Sequence, residues 1–326
     1  MSKVGLTTTV PVEIIYAAGL VPVDLNNLFI TADNRSLLVE EAEVAGYPRN
    51  TCAWIKGIYG TVCRHPEIRT VIAVTQGDCS NTHALMETLQ LNGVEVIPFA
   101  YPWDRDYATL ELAMDRLAHR LGTGRAAVDA AARRLDAVRE RVWELDRLCW
   151  EENRGTGLSN HLWQVNCSDF QGDPEAFGAA AEAEVERLAA SPPVVPELRL
   201  GYLGVPPIVD DLYDYLEERG ARVVFNEVQR QFTLPWRDPD LVERYRRYTY
   251  PYGIFFRLED IGREAARRGL DGLIHYAQSF CYRQIEDMII RRKTRLPVLT
   301  LEGDRPGTLD ARTRLRLDAF LDMLRL

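Results

Sequence analysis

Three cysteines stand where chemistry is easiest to build. Cys79 closes the run Val71-Ile-Ala-Val-Thr-Gln-Gly-Asp-Cys79, Cys281 closes Gly272-Leu-Ile-His-Tyr-Ala-Gln-Ser-Phe-Cys281, and Cys52 lies in Asn50-Thr-Cys-Ala-Trp-Ile-Lys-Gly57. The first two runs read as buried strands turning into helices. In an open α/β sheet the carboxyl ends of the strands form the floor of the ligand cleft. A helix N-terminus there, with unpaired N–H groups and the positive end of the dipole, favours a thiolate over a thiol. Three thiolates suit a 4Fe–4S cluster with one iron left open, as a catalytic zinc keeps one open position; zinc on three sulfurs is the competing centre. Ligation must be long-range, because no CxxC or comparable local ferredoxin or zinc-ribbon spacing occurs.

Other polar residues lie near these predicted strand ends. Lys56, Asp78, Ser80, Asn81, Gln278, Arg283 and the stretch Glu302-Gly303-Asp304 are the candidates for a supporting shell. Hydrogen bonds to sulfur and nearby positive charge raise a cluster's potential, and burial lowers it. Lys56 and Arg283 are therefore expected to tune such a centre or hold an anionic ligand, with ordinary surface charge or helix capping as the alternative. Cys149 falls on an apolar helical stripe and reads as core; Cys63 and Cys167 read as structural. His83, four residues beyond Cys79, could point back at the cleft. His275 sits inside a strand and reads as packed, and His65, His119 and His161 form no constellation. Neither GxxxxGK[ST] nor a GxGxxG after a strand is present, so ATP hydrolysis and NAD binding by this chain are not expected.

Two repeats position these residues. Lys3–Pro11, Val12–Gly19 and Leu20–Leu25 read as strand, helix and strand, and Leu198–Pro207, Ile208–Gly220 and Ala221–Phe225 repeat the pattern. Gly19 and Gly220 are placed to end their helices in a left-handed cap. Each repeat continues with a cysteine unit, closed by Val94–Phe99 or Leu296–Leu301. The segment Tyr47–Cys52 has a counterpart in Tyr250–Phe255 that lacks the cysteine. Strands alternating with helices imply α/β lobes with parallel sheets. The expected organisation is an N-terminal lobe over residues 1–124 carrying Cys52 and Cys79, a helical connector over 125–196, and a C-terminal lobe over 197–326 carrying Cys281. Two such Rossmann-like lobes, joined by one long helix at Arg125–Glu152, would place an asymmetric three-sulfur site in the cleft between them.

Composition narrows the class further. The chain has 326 residues, 46% of them apolar, enough for a large core without staples. Lys and Arg number 39 against 48 Asp and Glu, a formal net charge of −9, which argues against nucleic acid as the main partner. The clusters Arg291–Arg295 and Arg312–Arg316 read as solvated faces. No run approaches the ~20 apolar residues of a membrane span, and the N-terminal apolar stretch is broken by Pro11 and Glu13 without a cleavage site. The expected setting is the cytoplasm, where six cysteines point to metal or catalysis sooner than to disulfides.

Taken together, Val10–Val23, the turns Gly77-Asp-Cys79 and Ser279-Phe-Cys281, and Pro297–Asp304 followed by Thr313–Phe320 resemble the 2-hydroxyacyl-CoA dehydratase D-component family. This family includes benzoyl-CoA reductase subunits and double-cubane cluster proteins. The resemblance covers almost the whole chain. It implies two flavodoxin-like lobes, a 4Fe–4S cluster on Cys52, Cys79 and Cys281, and a homodimer. It also implies a separate ATP-hydrolysing iron–sulfur activator that delivers low-potential electrons for radical dehydration or reduction of a small substrate. An 8Fe–9S double cubane, bound by six cysteines in such relatives, is the alternative cofactor, and Cys149 on an apolar face speaks against it. An iron–sulfur carrier without its own substrate is the alternative function. No separate CoA-binding motif is legible, which leaves the substrate class open.

Overall fold

The structure is a computed structural model and describes residues 2–326. Two four-stranded parallel sheets form its framework. The first contains β1 (Lys3–Leu6), β2 (Val21–Asp24), β3 (Thr70–Gln76) and β4 (Glu95–Ala100) in the order β2-β1-β3-β4. The second contains β5 (Leu198–Leu203), β6 (Ala221–Asn226), β7 (Gly272–Gln278) and β8 (Val298–Gly303) in the order β6-β5-β7-β8. Both orders are flavodoxin-like, and both reverse direction at one place, between β1 and β3 and between β5 and β7. Ligands of such sheets gather at that switch point.

The strands read as unbroken apolar runs because helices cover both faces of a parallel sheet. Every residue of β6 and β7 is buried. In the second sheet, Leu203, Val224, Phe225, Leu273, Ile254, Ile261, Leu270 and Ile290 form one core between strands and helices. The helix Val12–Ala17 ends as the sequence requires. Gly19 has φ +70°, its N–H donates to the Tyr16 carbonyl at 3.0 Å, and the Leu20 N–H donates to Ile15 at 3.1 Å, the paired bonds of a Schellman cap. Gly220 adopts the same region, with φ +72°. The preceding helix starts at Leu212, four residues later than Ile208, because Val209 forms a parallel bridge with Gly307 instead.

The long helix spans Arg125–Trp150, and its stripe of Val128, Leu135, Val138, Val142, Leu145 and Cys149 is buried as expected. Arg139 interrupts that stripe. It is 1% exposed and pairs with the equally buried Glu13 at 2.7 Å.

The chain divides into two compact units whose segments alternate along the sequence. The first is Met1–Arg139 with Asn166–Gly178 and Leu234–Gly253; the second is Glu140–Val165, Ala179–Thr233 and Ile254–Leu326. Residues 234–253 thus belong with the first sheet although they follow β6 in sequence. Tyr245 donates to Glu13 at 2.8 Å, Tyr107 donates to Asp240 at 2.7 Å, and Arg105 donates to the Arg246 carbonyl at 2.9 Å. The helices that follow the paired Tyr-Pro segments begin at Ala53 and Ile254. The residue before the first helical turn is accordingly Cys52 in one and Gly253 in the other, so Gly253, not Phe255, is the positional counterpart of Cys52. Among the described residues, no helix is long and apolar enough to cross a membrane.

Candidate functional site

In the first unit, β3 delivers Cys79. The strand is buried from Val71 to Val74 and ends at Gln76, three residues short of the thiol. The intervening turn depends on Gly77, at φ +101°, where a Cβ would lie 2.7 Å from Cβ of Pro251. Only glycine meets both demands. Cys79 is half-buried, and its carbonyl accepts the Thr82 N–H at 3.0 Å, which starts the helix Thr82–Leu91. Asp78 and Asn81 are half-buried and Ser80 is exposed. His83 is exposed and its Nε2 lies 3.0 Å from the Thr75 carbonyl, so it reaches back to the strand end.

Cys52 occupies the N-cap of the helix Ala53–Arg64 and is buried, with its carbonyl accepting the Lys56 N–H at 3.2 Å. No acidic side chain stands in the first turn of that helix to compete with an anionic sulfur for the dipole. Lys56 is also buried. Its ammonium donates to Glu43 at 2.8 Å and to the Arg49 carbonyl at 3.2 Å, so its charge is neutralised where it stands.

In the second unit, β7 delivers Cys281 by the same spacing, three residues beyond Gln278. Here the turn contains Phe280 at φ +66°, an uncommon conformation for a side chain of that size. The Cys281 N–H donates to the Gln278 carbonyl at 3.1 Å, and the Cys281 carbonyl accepts from Gln284 at the start of the short helical segment Tyr282–Glu286. Gln278 is buried. Its amide donates to the Asp304 carbonyl at 2.9 Å and its Oε1 accepts from Tyr276 at 2.7 Å.

A buried charge network lies around this turn, and sequence reading missed all of it but Arg283. The Gly204 N–H at the end of β5 donates to Glu227 at 3.0 Å; Arg257 donates twice to Glu227, at 2.6 and 2.9 Å, and again to Glu286; Arg283, also buried, donates to Glu286 at 3.0 Å. Burial alone would raise the Glu227 carboxyl, but Arg257 holds it below its ordinary range. The available signal was weak: an Arg and a Glu 30 residues apart, each on a helix whose pattern looks solvent-facing.

The other sulfurs and imidazoles fall elsewhere. Cys149 and Cys167 are buried, and burial pushes each thiol up to about 12, which disfavours thiolate. Cys63 is exposed. His161 is buried against Tyr213, and burial lowers it to about 3. His275 is buried in β7 with Nδ1 2.8 Å from Asp287, and burial holds it below its usual value. All six cysteines are thiols and none is in a disulfide. Among the described residues no three His, Cys, Asp or Glu side chains are grouped to hold a metal ion. The donor set nonetheless fits a thiolate-bound centre in kind, because two partly exposed thiols follow the strands at switch points and one caps a helix.

No curated protein matches the chain. Its residues 7–324 match the 2-hydroxyglutaryl-CoA dehydratase D-component family, and with both sheets in flavodoxin-like order the chain belongs to that family as a protein of the 2-hydroxyacyl-CoA dehydratase D-component type.

Proposed function

We propose that this protein is an iron–sulfur redox enzyme of the 2-hydroxyacyl-CoA dehydratase and benzoyl-CoA reductase type. Cys52 and Cys79 from the first unit and Cys281 from the second ligate one 4Fe–4S cluster with an open iron. A single observation carries the reading: in a chain of this family, Cys79 and Cys281 stand three residues beyond the equivalent strands of two repeated sheets, each next to a switch point. The family is known for iron–sulfur cofactors and works with an ATP-dependent activator. When bound, such a cluster supplies one-electron chemistry at low potential. The chain's own contribution is position and charge. The Cys52 helix turns its N-terminus toward the cysteine at its cap, Gly77 lets the turn before Cys79 pass against Pro251, and Gln278 with the Arg257–Glu286–Arg283 chain fixes the Cys281 turn. The low-potential electron comes from an ATP-hydrolysing iron–sulfur activator, the enzyme is a cytoplasmic homodimer, and the substrate is a small molecule, with a CoA thioester as the first to try. The deep burial of Cys149 and Cys167 weighs for three ligands over the six of a double cubane.

Anaerobic reconstitution followed by iron and sulfide analysis tests the proposal. About four irons per chain are expected, with most of the metal lost in Cys52→Ala, Cys79→Ala and Cys281→Ala and retained in Cys149→Ala. Eight irons, or equal loss in Cys149→Ala, would select the double cubane. Absence of iron, or a single zinc, overturns the reading.

A further inference from the structure

We propose that Arg291 and Arg316 hold the outer edge of β8 closed against strand addition, and that removing them turns this edge into a pairing surface for a second copy of the chain. The inference does not depend on the metal centre. An unpaired edge strand displays alternating N–H and C=O groups that template another strand, and natural sheets blunt it with charge, proline or a covering segment. Two parallel sheets leave four edges: β2 and β4 in the first, β6 and β8 in the second.

Two of these edges are covered from within their own unit. At β2, the Asp24 N–H donates to the Asp169 carboxylate at 2.8 Å. At β6, the helix Gly157–Val165 approaches so closely that a Cβ on Gly157 would lie 2.9 Å from the Val223 carbonyl. The two other edges, β4 and β8, occupy equivalent places, since Ile97 pairs with Ile72 and Leu299 with Ile274. The bonds from Glu95 to the Arg69 carbonyl and from Tyr101 to the Gln76 carbonyl turn alternate residues inward, which leaves Val96, Pro98 and Ala100 facing out. Pro98 is exposed and has no N–H to offer. That edge is closed covalently.

The residue in the place of Pro98 is Thr300. The Leu273 N–H to Pro297 and the Ser279 N–H to Gly303 direct Val298, Thr300 and Glu302 outward by the same alternation. The Val298 carbonyl accepts from Arg291 at 2.9 Å, and the Thr300 carbonyl accepts from Arg316 at 2.6 Å. Arg291 also donates to the Thr300 hydroxyl and is aimed by Asp287, 2.7 Å from its Nε. Two of the three outward carbonyls, those of Val298 and Thr300, are thus occupied by guanidinium groups, which another strand could displace only by desolvating them. Sheet one closes its edge with a ring and sheet two with two charges.

The test compares the full-length protein with Arg291→Ala/Arg316→Ala by sedimentation velocity and amide hydrogen exchange. The double variant should associate at least one step beyond the wild-type state at concentrations where wild type does not. The Val298, Thr300 and Glu302 amides should gain protection as it does so. Adding Thr300→Pro, which copies the device of Pro98, should return the wild-type state. A folded double variant that keeps the wild-type mass overturns the proposal. So does association that leaves those three amides unprotected or that survives Thr300→Pro. If circular dichroism shows the double variant unfolded, Arg316→Ala alone, which keeps the Asp287–Arg291 pair, carries the same readouts.

Discussion

Gln76 and Gln278 end equivalent strands, three residues before Cys79 and Cys281, yet the first side chain lies in solvent while the second is buried and hydrogen-bonded at both its oxygen and its nitrogen. The two turns diverge from that point. Around Cys281, a chain of hydrogen bonds and ion pairs from the Gly204 N–H through buried Glu227 and Arg257 and half-buried Glu286 reaches Arg283, two residues from the thiol. At Cys79 the turn passes instead through a glycine pressed on a proline. The strand decides where a thiol stands; its surroundings decide how firmly it is held there. One turn is fixed by electrostatics and the other by the absence of a side chain.

The comparison breaks most severely at Arg257. Replacing it by Ala leaves Glu227 buried without its cation, which costs about 3–5 kcal/mol, read as a lower midpoint in urea unfolding. Alkylation of Cys281 in the metal-free protein should accelerate much more than that of Cys79, followed by mass spectrometry. Equal acceleration at both would show that the network does not act locally. Gly77→Ala is the matching lesion in the other turn. A Cβ at φ +101° against Pro251 should cost about 2–3 kcal/mol, with Cys79 the thiol whose alkylation changes.

Much of this contrast could not be read in advance, and the reason is physical. The apolar runs Val71–Val74 and Leu273–Ala277 announce buried strands because both faces of a parallel sheet must be covered, and Gly19 announces a helix end because few residues tolerate its φ. The long helix was legible from Val128, Leu135 and Val142 for the same reason. Arg139 and Arg257 look like solvent-facing residues in sequence, since burial of a charge depends on a partner that only the fold supplies. Lys56 shows the reverse: it lies one turn from Cys52, but Glu43 takes its charge. The assignment of residues 234–253 to the first unit was equally invisible, because hydrophobic periodicity identifies an element without naming the sheet it packs on.

The ends of β2 and β6 offer a milder version of the same contrast. Asp24 donates its N–H to the Asp169 carboxylate, whereas at the equivalent position Asn226 donates its side-chain amide to Gln164 at 3.2 Å. Burial, then the neighbouring Asp24, raises Asp169 from an ordinary 3.8 to about 7. A carboxyl raised on folding binds its proton more tightly in the native state. Its contribution is therefore fully present below about pH 4 and is lost as pH rises through 7. Relative to Asp169→Asn, the wild-type protein should lose on the order of 4 kcal/mol of stability between pH 4 and pH 8, measured by urea unfolding across that range. Gln164→Glu should introduce a similar slope in the second unit; parallel pH profiles for wild type and Asp169→Asn would remove Asp169 from the account.

The smallest effect has the opposite sign. Phe280 holds φ +66° beside Cys281 and is half exposed, so its side chain gains little from burial while its backbone bears the cost of a left-handed conformation, about 1–2 kcal/mol for a residue with a Cβ. Glycine adopts that φ freely but loses more conformational freedom on folding, about 0.5–1 kcal/mol. The difference favours Phe280→Gly by about 0.5–1 kcal/mol, a small rise in the unfolding midpoint where Gly77→Ala produces a large fall. The hydrogen bonds from Gln278 and the charges on Arg283 and Glu286 remain in place, so Cys281 alkylation should stay close to its wild-type rate. A loss of stability on this substitution would mean that the Phe280 ring, and not only the charge network, helps to hold the second turn.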